Sequence, residues 1–314
     1  MTRTGYVWHE SYTGHDTGCS HWENPERARA LAAPSMLRDV PGVVLQPVDS
    51  DLALPWLRRV HEMPYILEVQ SAFERNQRTL DRGDTRVLKD TYSVALQSAA
   101  GCLSLVGAVA RGELRNGFAA VRPPGHHAGT SYGRGFCVFN NVAVCARFAQ
   151  EQFGLERVMI IDWDVHPADG TQAIFNEDPS VVTLSAHQEG IFSDAVGTRE
   201  QRGRGPGEGS KFNLPLPKGT RPADYFREFE PILQAAAERS QPDLVVVSCG
   251  FDAHLADPVQ SMKLDDEAYR RLTRYALDIA KQYCDGKLVL ILEGGYSPPV
   301  LRRCIRAQLE LLMD

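Results

Sequence analysis

Residues 160–171, IIDWDVHPADGT, place acidic residues and a histidine directly after an apolar run. The apolar residues 158–161 are typical of a strand that is buried on both faces of a parallel sheet. Asp162, Asp164 and His166 follow at a spacing of two, and side chains two apart in an extended segment project to the same side. Carboxylates and an imidazole at the carboxyl end of a buried strand indicate a divalent-metal site. An Asp-rich loop that caps the next helix is the alternative interpretation.

Three more apolar runs end in residues that can do chemistry. One run is followed by His126 and His127, another by Asp252 and a third by Tyr296. Because parallel strands expose all their carboxyl ends on one side of the sheet, these groups can converge. Taken alone, each has a structural interpretation, as a hydrogen-bonded histidine, a helix cap or a half-buried aromatic residue. Their shared position at strand ends favours one common site.

Three of these side chains suit a catalytic metal. Asp164, His166 and Asp252 supply three ligands and leave one position open for water, as a catalytic metal requires. Two carboxylates and one imidazole suit Zn²⁺, and Fe²⁺ or Mn²⁺ are compatible with the same donors. The sequence therefore predicts a metal centre with one open position.

The adjacent histidines, His126 and His127, need carboxylate partners to fix their tautomers, and Asp162 and Asp169 are available for this. A histidine held in this way takes a proton from metal-bound water and returns it to a leaving group. Tyr296 follows two glycines and can donate its hydroxyl to a developing oxyanion. Together these residues predict metal-assisted hydrolysis of an acyl bond.

Strand and helix patterns alternate along the chain, which predicts an α/β fold with one mostly parallel sheet that is covered on both faces. The predicted strands cover residues 5–8, 42–45, 118–121, 158–161, 181–184, 244–247 and 288–292. The predicted helices cover residues 25–37, 55–73, 91–110, 140–153, 222–239, 265–284 and 298–313, with a surface loop at 74–90. The pattern shows no linker and no internal repeat, which predicts one domain over residues 1–314.

Composition narrows the class of partner. Hydrophobic residues make up 43% of the chain and charged residues 24%, which is ordinary for a globular protein. There are 34 basic and 40 acidic residues, and the basic ones form no stripe, which argues against nucleic-acid binding. We expect no apolar run of the roughly 18 residues that a membrane span needs, and no signal peptide, so no membrane partner is predicted. The oligomeric state is not indicated.

Cysteines and glycines exclude two further kinds of site. The seven cysteines are dispersed and form no CxxC pair, which argues against a disulfide framework or a thiolate zinc site and favours the reducing cytoplasm. The glycine-rich residues 203–209 are followed by LPLP rather than by a helix, so a phosphate cradle is not predicted. We interpret this stretch as a flexible loop beside the pocket.

Several motifs in consistent order resemble the zinc-dependent histone deacetylase superfamily, in particular its class II-like members, bacterial amidohydrolases and acetylpolyamine amidohydrolase relatives. The motifs are RPPGHHA, GFCVFNN, DWDVHPADGTQ, GPGEGSKFNLPLP, GFDAHLADP and LEGGY. The resemblance implies the arginase–deacetylase fold, a three-layer α/β/α sandwich around one parallel sheet. It also implies removal of acyl groups, usually acetyl, from acylated lysine peptides, acetylated polyamines or other small amides.

The resemblance also assigns roles to residues. It implies one zinc per chain on Asp164, His166 and Asp252, with His127 as the general base and acid and His126 stabilising charge beside it. It pairs Asp162 with His126 and Asp169 with His127, and it makes Tyr296 the group that polarises the amide carbonyl. Gly135, Phe136 and Phe192 would line a narrow substrate channel. A structural monovalent cation, commonly potassium, would lie near Asp162, Asp164, His166, Thr183 and Leu184.

The chain departs from the family pattern at several positions. Pro167 and Ala168 stand where the family usually has a second histidine and a glycine, and we still expect the metal to bind. Residues 185–189, SAHQE, replace a His- or Tyr-containing rim. Val259 stands where a polyamine-selective relative has a glutamate gatekeeper, which removes one argument for polyamines. The resemblance would make Asp84 the counterpart of an aspartate that binds the substrate backbone in some eukaryotic members.

Three hypotheses remain at this point. The leading one is an active metal-dependent amidohydrolase, with acyl-lysine and small amides such as acetylpolyamines as alternative substrates. The second is a binuclear manganese ureohydrolase, which shares the fold but needs additional aspartate ligands. The third is a catalytically inactive binding module, which Pro167 motivates and which predicts no zinc binding.

Overall fold

The computed structural model describes residues 3–81, 83–193, 195–259 and 261–314. Eight strands form one sheet, and every strand pair in it is parallel. The strands are β1 (Arg3–Val7), β2 (Val43–Leu45), β3 (Leu114–Ala119), β4 (Val158–Asp162), β5 (Val181–Gln188), β6 (Lys211–Leu216), β7 (Leu244–Cys249) and β8 (Leu288–Leu292). Their order across the sheet is β2-β1-β3-β8-β7-β4-β5-β6. The predicted α/β fold with one parallel sheet is confirmed.

Helices cover both faces of this sheet. They are α1 (Pro25–Ala30), α2 (Ala33–Asp39), α3 (Ala53–Leu57), α4 (Met63–Ser71), α5 (Thr91–Ala110), α6 (Asn141–Phe153), α7 (Asp169–Phe175), α8 (Pro222–Ser240), α9 (Asp266–Tyr283) and α10 (Pro298–Met313). Successive residues of β4 alternate between two cores: Met159 and Ile161 pack with α8, α9 and α10, whereas Val158 and Ile160 pack with α5 and α6. The molecule is therefore a three-layer α/β/α sandwich.

Two predicted helices are divided by prolines. Residues 25–37 form α1 and α2, and residues 55–73 form parts of α3 and α4. Pro34 and Pro64 each lie in the first turn of the second helix of the pair. Proline is accommodated there because it needs no hydrogen-bond partner for its nitrogen, but its ring clashes with a preceding helical turn. The prediction of two uninterrupted helices was wrong for this reason.

Two elements were not predicted at all. Strand β6 contains Pro215, which cannot donate to a ladder, yet β6 forms an edge of the sheet, where proline is tolerated. Helix α7 has seven residues, too few to show a clear helical period. It nevertheless carries Asp169, one of the predicted site residues, in its first turn.

Helix α5 corrects one further expectation. By length and apolar composition it is long enough to cross a membrane, although we expected no such segment. Within the described structure, 78% of its apolar window is buried. Its residues Leu103, Leu105 and Val106 belong to the core that covers one face of the sheet. Burial against the sheet accounts for its composition.

A buried ion network joins the segment before α1 to the carboxyl edge of the sheet. Glu23 Oε2 lies 3.0 Å from Arg122 Nη2, and Glu23 Oε1 lies 3.3 Å from Arg27 Nη1. Burial alone would raise the pKa of Glu23, but the Arg122 and Arg27 guanidinium groups lower it, so the carboxylate is ionised. Arg27 Nε also donates to Gly295 O at 2.6 Å. The network therefore holds the segment that follows β8.

We expect Glu23→Gln to lower the free energy of unfolding by about 3 kcal/mol, because it leaves two buried guanidinium groups without a counter-charge. Urea unfolding followed by circular dichroism measures the change. Glu26→Gln is the matched control, since Glu26 pairs with Arg29 through side chains that are 61% and 54% exposed. The control should change the stability by less than about 0.5 kcal/mol. Equal losses of stability in Glu23→Gln and Glu26→Gln would contradict the conclusion that the buried Glu23 network stabilises the fold.

Candidate active site

Asp164, His166 and Asp252 meet at the carboxyl edge of the sheet. Asp164 and His166 follow β4, and Asp252 follows its neighbour β7. One ligand atom from each residue lies within 4.8 Å of the others. His166 Nδ1 is 3.0 Å from Asp164 Oδ1 and 3.2 Å from Asp252 Oδ2. The structure thus brings together the three side chains that were predicted to bind a metal.

The charges in this group suit a divalent cation. Both carboxylates are fully buried, and apart from its 3.2 Å contact with His166 Nδ1, Asp252 Oδ2 makes no hydrogen bond among the described residues. Burial and the nearby Asp164 carboxylate raise the pKa of Asp252 to about 7. Burial alone would lower the pKa of His166, but its contacts with the two carboxylates raise it to about 10. A metal ion bound to this group would take the place of the proton on His166 Nδ1.

Glycines allow backbone to approach these carboxylates closely. A Cβ atom on Gly294 would lie 2.2 Å from Asp252 Oδ2, and one on Gly250 would lie 2.2 Å from Asp164 Oδ2. Gly294 N donates to Asp164 Oδ2 at 2.8 Å. Any larger residue at either position would displace a carboxylate of the group.

Two other groups among the described residues have the spacing of metal ligands, but their polar atoms already have partners. They are His254 with Asp266 and Cys304, and His126 with Cys137 and Glu293. Asp266 Oδ2 accepts from Arg303 Nε at 3.1 Å, so this carboxylate is already neutralised. Glu293 Oε2 accepts from the backbone N of Gly125 at 2.7 Å and of His126 at 3.1 Å. Neither group offers the free carboxylate oxygen that Asp252 has.

The adjacent histidines after β3 face different carboxylates. His126 Nδ1 lies 2.9 Å from Asp162 Oδ2, and His127 Nδ1 lies 2.5 Å from Asp169 Oδ1. The centroids of the two rings are 4.0 Å apart. Because Nδ1 of each ring contacts a carboxylate, the tautomer and orientation of each ring are set, and Nε2 is left for other partners.

The different surroundings of His126 and His127 give the two rings different charge states. Burial alone would lower the pKa of His126, but the Asp162 and Asp164 carboxylates raise it to about 10. Burial lowers the pKa of His127 well below its usual value, and the neighbouring His126 and His166 lower it further. One ring is therefore held as a cation and the other as a neutral base, which is a division suited to acid–base chemistry.

The first turn of α7 packs against the backbone of the histidine pair. Thr171 N donates to His126 O at 3.1 Å. A Cβ atom on Gly170 would lie 2.4 Å from the carbonyl carbon of His127. This close packing keeps Asp169 beside His127.

Tyr296 is held at the same edge by Asp257. The backbone N of Tyr296 donates to Asp257 Oδ2 at 2.6 Å, and that of Ser297 donates to it at 3.2 Å. Gly295, with φ of 111°, provides the turn before the tyrosine, a conformation that favours glycine. Burial raises the pKa of the Tyr296 hydroxyl well above its usual value, so the hydroxyl keeps its proton and can donate it in a hydrogen bond.

A narrow cavity of about 150 Å³ connects these groups. Its lining includes His127, His166 and Tyr296, together with the predicted channel residues Gly135, Phe136 and Phe192. The rings of Phe136 and Tyr296 meet edge to face at 5.8 Å, and those of Phe192 and His127 at 4.5 Å. Asp84 also lines the cavity. Aromatic rings therefore form part of the cavity wall.

The residues predicted to surround a monovalent cation lie on β4, β5 and the loop after β4. Asp162 ends β4, and Asp164 and His166 follow it. Thr183 and Leu184 are the two residues of β5 that precede the partner of Asp162. The cation site stays a prediction.

Three residues at this edge were given no role from the sequence. Glu293 follows β8 directly, a position that marks it as a strand-end residue, and its carboxylate holds the backbone before the histidine pair. Arg27 and Arg134 carried no comparable signal, because Arg27 lies far from the strand ends in sequence and the partner of Arg134, Asp169, lies on a separate element. Arg27 Cζ lies 5.3 Å from the centroid of the Tyr296 ring, and Arg134 pairs with Asp169.

The chain matches the histone deacetylase domain model over residues 21–312. Among solved structures, the crystal structure of the HDA15 HD domain is similar with a TM-score of 0.91 and 31% sequence identity. That match covers 100% of this chain and 90% of the other chain. The similarity extends over the whole sandwich.

Individual relatives come from archaea, bacteria and animals. The chain is 35% identical to a probable deacetylase of Archaeoglobus fulgidus, covering 94% of this chain and 81% of the relative. It is 35% identical to a histone deacetylase-like amidohydrolase of Pseudomonas aeruginosa, covering 93% and 77%. The polyamine deacetylase HDAC10 of Mus musculus is 37% identical over 81% of this chain, which spans 39% of that relative. The chain therefore belongs to the histone deacetylase family of deacetylases and amidohydrolases.

Proposed function

We propose that this chain is a zinc-dependent amidohydrolase that removes an acyl group, in the first instance acetyl, from a lysine side chain or a related linear amine. Residues 1–314 would form one catalytic domain. The proposal rests on one observation: three sets of side chains meet around one narrow cavity. These are the Asp164, His166 and Asp252 group, the His127–Asp169 pair and Tyr296.

Asp164, His166 and Asp252 would hold one zinc ion. Two features support this fit: His166 Nδ1 lies between the two carboxylates, and apart from that contact Asp252 Oδ2 is buried without a hydrogen bond among the described residues. Two oxygen donors and one nitrogen donor suit Zn²⁺, and Fe²⁺ or Mn²⁺ would fit the same set. When bound, such an ion polarises a carbonyl oxygen and lowers the pKa of a water ligand.

His127 would move the proton. Its Nδ1 is held by Asp169 at 2.5 Å, and the ring lines the cavity as a neutral base. The attacking water would give a proton to His127 Nε2, and this proton would then pass to the amine nitrogen as the amide C–N bond breaks. His126, a cation beside Asp162, would stabilise the negative charge that develops on the substrate.

Tyr296 would donate its hydroxyl to the amide carbonyl oxygen. The hydroxyl remains protonated, and the anchor to Asp257 fixes its backbone on the cavity wall. A fixed donor strengthens its hydrogen bond as charge develops on that oxygen, which lowers the barrier.

The cavity favours a linear amine stem, since Phe136 and Phe192 narrow it. An acyl-lysine peptide and an acetylated polyamine or other small amide both have such a stem. Similarity to a relative named polyamine deacetylase supports the second class, whereas Val259, which stands where a polyamine-selective relative has a glutamate, removes one argument for it. We take acyl-lysine as the leading substrate and the small amide as the alternative. A potassium ion near Asp162 and a cytoplasmic location also remain proposals.

We expect wild-type protein to bind one zinc ion per chain, and Asp252→Ala to lose both the metal and activity, because it removes the carboxylate with the free oxygen. His127→Ala should keep the metal and lose turnover by about a hundredfold or more, because it removes only the proton carrier. Elemental analysis and kcat measured on the same samples test both variants. Two metal ions per chain would instead favour a binuclear ureohydrolase, and absence of zinc from metal-supplemented wild type would favour an inactive binding module.

We expect metal-supplemented wild type to cleave an acetyl-lysine peptide faster than acetylputrescine, and a hydroxamate chelator to stop both reactions. Tyr296→Phe should lower kcat by about a hundredfold for either substrate, because the oxyanion loses a donor. Initial rates of amine release measure this. Tyr283→Phe is the matched control, because it removes a partly buried tyrosine hydroxyl at the end of α9, outside the site. Cleavage of neither amide, with the two tyrosine variants resembling wild type, would refute the proposal.

A further inference from the structure

We propose that Arg134 is a positioning residue that holds the Asp169 carboxylate and, through it, His127. The inference rests on the proposed function, in which His127 moves the proton. It adds a third member to the His127–Asp169 pair, contributed by the loop that also forms the channel wall. Arg134 would therefore affect turnover more than substrate binding.

A tight turn places Arg134 beside both the channel and the histidine. Cys137 N donates to Arg134 O at 2.9 Å and closes the turn. Between them, Gly135 and Phe136 have φ of 55° and 69°, in the left-handed region. A Cβ atom on Gly135 would lie 2.5 Å from His127 Cδ2, so the backbone of this turn touches the histidine ring. The turn thus directs Phe136 into the channel and leaves Arg134 near Asp169.

The two oxygens of Asp169 are divided between two partners. Oδ1 lies 2.5 Å from His127 Nδ1, and Oδ2 forms an ion pair with Arg134 Nη2. The Asp169 side chain is only 6% exposed. Apart from this ion pair, Oδ2 makes no hydrogen bond within the described part of the chain. Arg134 therefore provides the partner of Oδ2, and together with His127 on Oδ1 it restricts the rotation of the carboxylate.

The guanidinium is itself held between aromatic rings. Arg134 Cζ lies 5.5 Å from the centroid of Phe192 and 5.6 Å from that of Tyr132. Phe192 packs edge to face on His127, with centroids 4.5 Å apart. Arg134, Asp169, His127 and Phe192 therefore form a closed set of contacts. Cation–π contacts at such distances help to keep the guanidinium in place.

Arg134 is also reachable from solvent. Its side chain is 37% exposed, and it lines a second cavity of about 350 Å³ together with Tyr132, Pro167 and Asp169. A small cation that enters this cavity can reach the position that the guanidinium leaves when Arg134 is shortened. This access makes chemical rescue possible.

We expect Arg134→Ala to lower kcat by about tenfold, because Asp169 loses the partner that orients it. KM for the acetyl-lysine peptide should stay within about twofold of wild type, since the substrate channel residues remain. Arg134→Lys should retain an intermediate kcat, because lysine keeps the charge but not the planar fork. Millimolar guanidinium chloride should raise kcat of Arg134→Ala along a saturating curve and should not raise that of Asp169→Asn.

Arg271→Ala is the matched control. Arg271 also pairs with a carboxylate, that of Glu230, and covers two aromatic rings, with its Cζ 4.1 Å from the centroid of Phe226 and 5.5 Å from that of Tyr275. It lies on α9, outside the cavity. We expect this variant to keep wild-type kcat and to show no response to guanidinium. An equal loss of kcat in both variants would overturn the inference.

A second measurement does not depend on turnover. The hydrogen bond between His127 Nδ1 and Asp169 should give a low-field proton resonance in wild type that is absent from Asp169→Asn. We expect Arg134→Ala to shift or broaden this resonance and guanidinium to restore it. An unchanged resonance together with wild-type kcat in Arg134→Ala would overturn the inference. If wild type cleaves no acyl amide, the proposed function fails, and the resonance alone decides the role of Arg134.

Discussion

Two like charges, Asp164 and Asp252, are buried beside each other at the carboxyl edge of the sheet, and the need to balance them shapes their surroundings. Buried carboxylates repel one another unless cations or hydrogen-bond donors neutralise them. The chain supplies His166 between them, the backbone N of Gly294 to Asp164 and the backbone N of Val165 to Asp252. Apart from the His166 contact, Asp252 Oδ2 has no hydrogen bond among the described residues, and a divalent cation would complete the balance.

Further buried charged residues hold the Asp164, His166 and Asp252 group in place. Glu293 accepts hydrogen bonds from the backbone before the histidine pair, and burial raises its pKa to about 7. Arg27 donates to the main chain of Glu293 and of Gly295, so it ties the Tyr296 loop to Glu23. The segment before α1, the loop after β3 and the loop after β8 are thereby joined through charged contacts. Such cooperation among buried polar groups gives the edge one defined arrangement.

The alternation of apolar runs with helical patterns was enough to predict the parallel sheet and both covering layers, because strands buried on two faces must be apolar throughout. The predictions of helices and strands were wrong where the local sequence pattern and the tertiary context favour different structures. Pro34 and Pro64 begin new helices, which a periodic pattern alone does not distinguish from one long helix. Strand β6 tolerates Pro215 because it lies at the edge of the sheet. That position is defined only once the sheet is assembled. Helix α7 is too short for a period to appear.

By itself, the sequence determined which side chains could reach the site, because residues at the ends of parallel strands must share one edge. The structure gathers Asp164, His166, Asp252, His126, His127 and Tyr296 there. Only the tertiary structure decided which additional charged groups support them. The contacts of Asp162 with His126 and of Asp169 with His127 had been implied by the family resemblance, whereas nothing in the sequence indicated that Arg134 contacts Asp169 or that Arg27 contacts the Tyr296 loop. The physical reason is that strand ends are fixed by local hydrophobic pattern, whereas the contact between a long charged side chain and its partner depends on how separate loops pack.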